Sequence, residues 1–300
     1  MNLLNKLVVA AVPLVPRRII RYFAGRYIAG ETLSMAVDCV RGLNKEGVCA
    51  TMDVLGEDIS TRAEAVAARD ECITVLHTIA KEHLDSNLSI KLTSLGLKID
   101  KAFCIENVRE ILKVAAGYKT FVRIDMEDST CTSDTIAVFR AVHREFPNTG
   151  IVVQAYLFRT EEDVRSLAQE RVNFRLCKGI YKERAEIAFQ GRGEVQQNFM
   201  KLLGIMIDAG CYVGIATHDS VLVDGAYDLL ARKNLRKDQY EFQMLLGVRP
   251  ELRKKLVRDG HKVRSYVPYG EHWYGYSTRR FKENPEIAGY VFKALFKSNT

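Results

Sequence analysis

The sequence predicts an α/β fold in which a single domain forms a closed (β/α)8 barrel. Eight short apolar runs of strand length alternate with longer segments whose apolar residues follow helical spacing. Eight such units fit a chain of 300 residues that has no low-complexity tract or linker. The first run is followed by VLGEDIS, which does not match the G-x-G-x-x-G fingerprint of a dinucleotide-binding sheet. A closed barrel is therefore favoured over an open doubly wound sheet.

The chain is predicted to begin with an N-terminal helical arm over residues 1–45, followed by the barrel over residues 46–300. The predicted strands are residues 48–55, 88–95, 119–126, 150–157, 174–178, 211–218, 240–246 and 262–268. The helical patterns between them cover residues 61–83, 105–116, 133–145, 161–170, 194–209, 220–232 and 250–259. This order of elements is typical of parallel strands joined by crossover helices.

The apolar run at residues 7–16, LVVAAVPLVP, is too short to span a bilayer. Arg17 and Arg18 follow it without a small-residue cleavage site, so it is not a secretory signal. An apolar-faced helix packed on the domain is the simpler interpretation. A peripheral membrane contact through this run and its arginines is the alternative.

Residues 273–285, WYGYSTRRFKENP, are predicted to form a short helix that ends before Pro285. Four residues share one face of this helix: Tyr276, Arg279, Arg280 and Glu283. Two adjacent guanidinium groups can bind a carboxylate or phosphate bidentately, and the phenol provides a flat wall one turn earlier. The alternative is a solvated face on which Arg280 only pairs with Glu283.

Composition excludes several classes of function. The net charge is +7, but the basic residues are widely spread and lack the interleaved aromatics of a base-stacking surface, so nucleic-acid binding is not expected. The 6 His and 7 Cys show neither metal-ligand spacing nor a C-x-x-C pair, so no metal is expected. The cysteines indicate free thiols in a reducing compartment. We therefore expect a cytoplasmic protein, with peripheral contact at the inner face of the cell membrane as an alternative.

Each predicted strand carries polar residues toward its carboxyl end, which is the catalytic face of such barrels. They are Asp53, Lys91, Asp125, Gln154, Arg175 and Lys178, Thr217 and His218, Gln243, and Tyr266. A buried cation without a partner is prohibitive. Arg175, Asp125 and Lys91 are therefore expected to pair with one another or to bind an anionic ligand.

Several segments together resemble the monofunctional bacterial proline dehydrogenases, FAD enzymes that oxidise L-proline to 1-pyrroline-5-carboxylate. The matching segments are SIKLTSLG, VRIDMED, VQAYLFRTEED, RLCKGIYKE, ATHD, EFQMLLGVRP, VRSYVPYG and WYGYSTRRFKENPE. They follow the family's order from about residue 30 to the end. The resemblance implies a distorted (β/α)8 barrel whose last helix sits over the strand ends.

The resemblance also implies roles for individual residues. Lys91, Arg279 and Arg280 would bind the proline carboxylate, while Tyr181, Leu245, Tyr266 and Tyr276 would enclose its ring. FAD would contact Met126, Gln154, Arg175, Lys178, Gly179, Ile180, Thr217 and His218. Arg175 would stabilise negative charge on the reduced flavin, Asp125 would orient the site and Glu283 would pair with Arg280. Tyr276 stands where hydroxyproline-preferring relatives have serine, and Lys182 stands where the larger bifunctional enzymes have an aromatic that stacks on adenine.

By this resemblance, proline is oxidised by hydride transfer to flavin N5, as the first step of proline catabolism to glutamate. A membrane quinone then accepts the electrons, and a 1-pyrroline-5-carboxylate dehydrogenase is a possible partner. One alternative is a metal-independent lyase or aldolase in which Lys91 forms a Schiff base. A non-catalytic module that binds anions or a membrane surface is another.

Overall fold

The computed structural model describes residue 21 and residues 25–56 and 59–277, and it contains a closed barrel of eight parallel strands. The strands are β1 (Cys49–Val54), β2 (Ser86–Ile90), β3 (Val122–Ile124), β4 (Thr149–Gln154), β5 (Phe174–Cys177), β6 (Val213–Ala216), β7 (Tyr240–Leu245) and β8 (Val263–Tyr269). They pair in chain order, and β8 closes the barrel on β1 through a register that aligns Cys49 with Arg264. The barrel predicted from the alternating pattern is confirmed.

Helices form the outer layer of the barrel. They are α1 (Leu33–Lys45), α2 (Arg62–Lys81), α3 (Lys101–Gly117), α4 (Thr132–His143), α5 (Thr160–Ala168), α6 (Arg192–Asp208), α7 (Ser220–Arg232) and α8 (Pro250–Arg258). Local chemistry fixes several helix starts: Thr61 and Glu64 form a capping box on α2, and the Asp219 side chain accepts the Val221 amide at the start of α7.

Helix α1 fills a place that the connections between strands leave open. Helices α2 to α8 each join one strand to the next, so none of these seven helices covers the wall between β8 and β1. Helix α1 packs there and buries Ala36, Val37, Val40 and Leu43. The segment before α1 lies along the carboxyl end of β8, where the Ala29 amide donates to the Pro268 carbonyl at 2.9 Å. The boundary predicted at residue 45 remains a prediction.

The apolar core lies between strands and helices, whereas the barrel interior is unusually polar. Side chains alternate along each strand, so Met52 and Ile124 are buried in the apolar cluster while the neighbouring Asp53 and Arg123 are buried polar residues. Interiors of such barrels are usually filled by branched apolar residues. The polar interior here provides a path of charged and amide groups from one end of the barrel to the other.

Several predicted strands are longer than the observed ones, and the segments after β2 and β3 show why. The strand predicted at residues 88–95 ends at Ile90, and Thr93–Leu95 form a 3-10 turn instead. Leu92 and Leu95 are buried in that turn, so they prolong the apolar run without prolonging the strand. For the strand predicted at residues 119–126, the observed strand is only Val122–Ile124, and the polar residues at the predicted carboxyl end already belong to the loop after β3.

Residues after β8 begin a further helix from residue 273, in which the Ser277 hydroxyl donates to the Trp273 carbonyl at 2.8 Å. The apolar run at 7–16, Arg17, Arg18, Arg279, Arg280, Glu283 and Pro285 lie outside the described residues. In the described ranges, no helix combines the length and apolar character needed to cross a membrane.

Candidate active site

A buried ion pair between Asp125 and Arg175 lies at the carboxyl ends of the strands. Arg175 Nη1 donates to Asp125 Oδ1 at 2.7 Å, and the Ser89 hydroxyl donates to the same oxygen at 2.7 Å. The Tyr266 hydroxyl donates to Asp125 Oδ2 at 2.9 Å. The predicted pairing of Asp125 with Arg175 is confirmed, and Asp125 connects side chains from three other strands.

Lys91 pairs with a carboxylate that the sequence analysis did not assign to it. Its ammonium group lies 2.5 Å from Asp53 Oδ1, and both side chains are almost entirely buried. Burial raises the pKa of Asp53 to about 6, although the charge of Lys91 opposes the shift. Lys91 is thus held at the barrel mouth, one residue beyond the end of β2.

Tyr266 and Tyr276 lie together above this cluster. Burial and the negative charges of Asp125 and Asp53 raise the pKa of Tyr266 well above its usual value, and Tyr276 contributes in the same direction. Tyr266 is therefore a neutral hydrogen-bond donor, and its ring lies 5.3 Å from Arg175 Cζ. Tyr276, in the helix that begins at residue 273, is buried as well, and it lies close enough to Tyr266 to affect the pKa of that residue. The predicted position of Tyr276 at the mouth agrees with this arrangement.

A second buried ion pair lies deeper in the barrel and is connected to Arg175. Arg175 Nε donates to Gln243 Oε1 at 2.5 Å, and Gln243 Nε2 donates to Glu241 Oε1 at 2.6 Å. Glu241 Oε1 also accepts from Arg264 Nε at 2.8 Å. Burial alone would raise the pKa of Glu241, but the charges of Arg264 and Lys262 and the hydrogen bonds from Arg264 and Gln243 lower it to about 2.

The loop after β5 carries Lys178, Gly179, Ile180 and Tyr181 along the rim of the barrel. Two contacts hold the loop in place: Tyr156 N donates to the Lys178 carbonyl at 2.8 Å, and the Ser129 amide and hydroxyl both donate to Glu183 at 2.7 Å. Ile180 is 41% exposed although it is apolar, and Tyr181 is half-buried. The loop therefore presents an apolar side chain to solvent beside the buried cluster.

The structure explains why glycine is required at position 179, which the sequence did not reveal. Its φ is +108°, and a Cβ at this position would lie 2.1 Å from Tyr156 Cδ1. The family resemblance names Gly179 only as one of the residues that would contact FAD. Packing against Tyr156 is sufficient to require it.

Beyond β6, two cations converge on one buried carboxylate. Lys178 Nζ lies 3.2 Å and Arg192 Nη2 lies 3.1 Å from the carboxylate of Asp219, which also accepts from Gln196 Nε2 at 3.0 Å. The Lys178 side chain is 40% exposed and that of Arg192 73% exposed. The two cations carry more N–H donors than one carboxylate can accept, which leaves capacity for a second anion.

The remaining predicted site residues line the same end of the barrel. Thr217 Oγ1 accepts from the Asp219 amide at 3.1 Å, and His218 Nε2 accepts from the Leu245 amide at 2.8 Å. That hydrogen bond places the ring proton of neutral His218 on Nδ1. Gln154 Nε2 donates to the Glu127 carbonyl at 2.9 Å. Met126, which precedes Glu127 on the loop after β3, is buried.

Sequence reasoning missed residues that act through their partners. Asp53 and Gln243 were recognised as polar strand ends without a role, and Asp219 lies within the quoted ATHD segment. Ser89 and Glu241 likewise begin the quoted segments SIKLTSLG and EFQMLLGVRP, but neither was assigned a role, because nothing in the sequence shows which strand faces which across a closed barrel. Among the described residues, no group of three or more His, Cys, Asp or Glu side chains could hold a metal.

Known proteins resemble this chain over most of its length. The family described as proline dehydrogenase matches residues 36–292. Proline dehydrogenase 1 of Bacillus subtilis (strain 168) is 40% identical over 277 residues, covering 92% of this chain and 92% of that protein. Proline dehydrogenase of Deinococcus radiodurans is 36% identical over 279 residues, covering 91% of this chain and 90% of that protein.

A solved structure also matches the fold of this chain. Proline utilization A (PutA) from Bdellovibrio bacteriovorus, inactivated by N-propargylglycine, matches with a TM-score of 0.84 and 25% identity. The match covers 88% of this chain and 33% of that one, so this chain spans about a third of that larger protein.

Proposed function

The chain belongs to the proline dehydrogenase family, which carries out the first step of proline catabolism, and we propose that it does so with FAD bound at the carboxyl ends of the strands. When bound, FAD supplies the chemistry by accepting a hydride from proline C5 at flavin N5. The observation that carries this proposal is the buried Asp125–Arg175 pair, with Lys91 and two tyrosines around it.

The donors at the mouth fit a flavin nucleotide. Lys178 and Arg192 have hydrogen-bonding capacity beyond Asp219, which suits the diphosphate. Buried Thr217 and half-buried His218 directly precede Asp219 in the chain. Exposed Ile180 offers an apolar surface at the same rim. We propose that Met126, Gln154, Gly179 and Arg175 complete the flavin site. Arg175 would stabilise negative charge on the reduced ring.

Proline would bind above this site with its carboxylate toward the cations. Lys91 supplies one positive charge, which Asp53 holds in place, and Arg279 and Arg280 supply two more in our proposal, with Glu283 paired to Arg280. Tyr181, Leu245, Tyr266 and Tyr276 would enclose the apolar ring and exclude water. Tyr266 keeps its proton and anchors Asp125, which in turn holds Arg175.

The lyase alternative has less support. A Schiff base requires a neutral lysine amine, whereas the ion pair with Asp53 favours the charged ammonium form of Lys91. We further propose that a membrane quinone accepts the electrons at a peripheral contact on the inner face of the membrane. A 1-pyrroline-5-carboxylate dehydrogenase is the proposed consumer of the product.

The absorbance of the purified protein tests the proposal directly. We expect a yellow protein whose flavin band is bleached by L-proline without oxygen and restored by a quinone analogue. A colourless protein that does not retain added FAD would refute the flavin assignment.

A matched pair of variants tests where FAD binds. Lys178→Gln should weaken FAD binding about 10-fold or more, because a charged hydrogen bond to the diphosphate is lost. Lys201→Gln removes a lysine that pairs with Glu161 on the outer surface, so it should leave FAD affinity unchanged. Equal FAD affinities in both variants would place the diphosphate elsewhere.

A further inference from the structure

The Gln243 side chain reaches from β7 across β6 to Arg175 on β5. In the strand register, Gly214 of β6 lies between Arg175 on one side and Glu241 on the other. A Cβ on Gly214 would lie 2.4 Å from Gln243 Nε2 and 2.8 Å from its Cδ. The amide therefore occupies the space that a side chain on β6 would otherwise fill, and it contacts Arg175 because that space is open.

The two ends of this amide are chemically different, so its orientation matters. The oxygen accepts from Arg175 Nε, and the NH2 group donates to Glu241 Oε1. An ionised carboxylate only accepts hydrogen bonds, so Glu241 can face the NH2 group but not the oxygen. The charge on Glu241 is maintained by Arg264 and by the Tyr212 hydroxyl, which donates to Oε2 at 3.1 Å.

We propose that Glu241 and Gln243 are positioning residues for proline oxidation: Glu241 sets the direction of the Gln243 amide, and that amide fixes the plane of the Arg175 guanidinium. Arg175 then has acceptors on two sides, Asp125 at Nη1 and Gln243 at Nε. The inference rests on the proposed role of Arg175 beside the flavin.

In a Glu241→Gln variant, the side chain at 241 can present either its oxygen or its NH2 group to Gln243, so the direction of the Gln243 amide is no longer fixed. The amide can then turn its NH2 group toward the guanidinium, where two donors face each other and no hydrogen bond forms. Arg175 keeps its Nη1 contacts with Asp125 and, at 3.3 Å, with the Ser89 hydroxyl, but it is released at Nε, so the guanidinium can rotate about Nη1. Misplacement of this kind reduces catalysis even though the residue itself is unchanged.

Three variants in the FAD-loaded, full-length protein test the inference. Glu241→Gln removes the orienting charge, and Gln243→Met removes the amide but leaves the pair of Glu241 with Arg264 intact. The double variant E241Q/Q243E exchanges carboxylate and amide: Glu at 243 accepts from both Arg175 and the new amide, whose oxygen accepts from Arg264. Glu251→Gln, at a carboxylate whose side chain is 82% exposed, is the matched control.

We expect each single variant to lower kcat for proline by about 10- to 100-fold with little change in KM, since the carboxylate-binding cations are untouched. The flavin reduction potential should become more negative, because Arg175 no longer stabilises the reduced ring. E241Q/Q243E should recover kcat and the potential, and Glu251→Gln should match the wild type.

The inference is overturned if E241Q and Q243M lower thermal stability without changing kcat or the potential of the folded enzyme, which is the mark of a structural role. It is also overturned if the folded exchange variant stays as slow as E241Q. Wild-type protein that binds no flavin would instead refute the proposed function. Wild-type flavin bleached by proline, together with unaffected variants, would refute the positioning role alone.

Discussion

Asp125→Asn should destabilise the protein far more than the same substitution at a surface ion pair. The Asp125 side chain is 12% exposed and its partner Arg175 is 8% exposed. Removing one charge from a buried pair typically costs about 3–5 kcal/mol, because the remaining charge stays buried without compensation. Asparagine can still accept from Ser89 or Arg175, so we expect a loss at the lower end, about 3 kcal/mol.

Asp134→Asn is the matched control. Asp134 pairs with Lys101 at 2.9 Å, close to the 2.7 Å of the buried pair, but its side chain is 49% exposed and that of Lys101 is 51% exposed. Screening by water limits such a pair to about 0–1 kcal/mol. Both substitutions replace an ion-paired aspartate by asparagine at a similar distance from its cation, so burial is the main difference between them.

Urea denaturation followed by circular dichroism measures both changes from the shift of the midpoint and the slope. Both variants are measured without added flavin, so differences in cofactor affinity do not contribute. The reasoning is refuted if Asp125→Asn loses no more stability than Asp134→Asn. That result would mean that Ser89 and Tyr266 hold the site without the ion pair.

Three further predictions concern the mouth of the barrel and its glycines. Because the pKa of Asp53 is raised to about 6 in the folded protein, its stabilising contribution is present below about pH 4 and is lost as the pH rises through about 6. The unfolding free energy of Asp53→Asn relative to that of the wild type should therefore increase from about pH 4 to 7. A difference between the two proteins that stays constant over this range would contradict the prediction. Tyr276→Ser should improve kcat/KM for 4-hydroxyproline relative to proline, and unchanged discrimination would mean that this wall lies elsewhere. Gly179→Ala should lower the melting temperature because its Cβ would overlap Tyr156, whereas Gly204→Ala on α6, with no atom within 4 Å, should stabilise by about 0.5–1 kcal/mol; equal effects would contradict the packing argument.

The sequence predicted the barrel well because alternation of strands and helices is a local signal. Polar strand ends were also visible, and they correctly placed Asp125, Arg175 and Lys91 at one rim. Strand lengths were less accurate where buried turns extend an apolar run, as Leu92 and Leu95 do after β2.

Partners were much harder to predict than positions. Arg175 and Gln243 are 68 residues apart in the chain, and Arg264 reaches the Ala50 carbonyl across 214 residues. Such contacts depend on the register around a closed barrel, which no local pattern reveals. Arg175, Asp125 and Lys91 were therefore expected to pair with one another or to bind an anionic ligand, and the ion pair between Lys91 and Asp53 was not foreseen. The roles of Arg279, Arg280 and Glu283 remain predictions.

Because α1 packs between β8 and β1, this helix and the barrel cannot be inherited or engineered as separate parts. A chain shortened to begin at β1 would leave the apolar seam against Ala36, Val37, Val40 and Leu43 open to water.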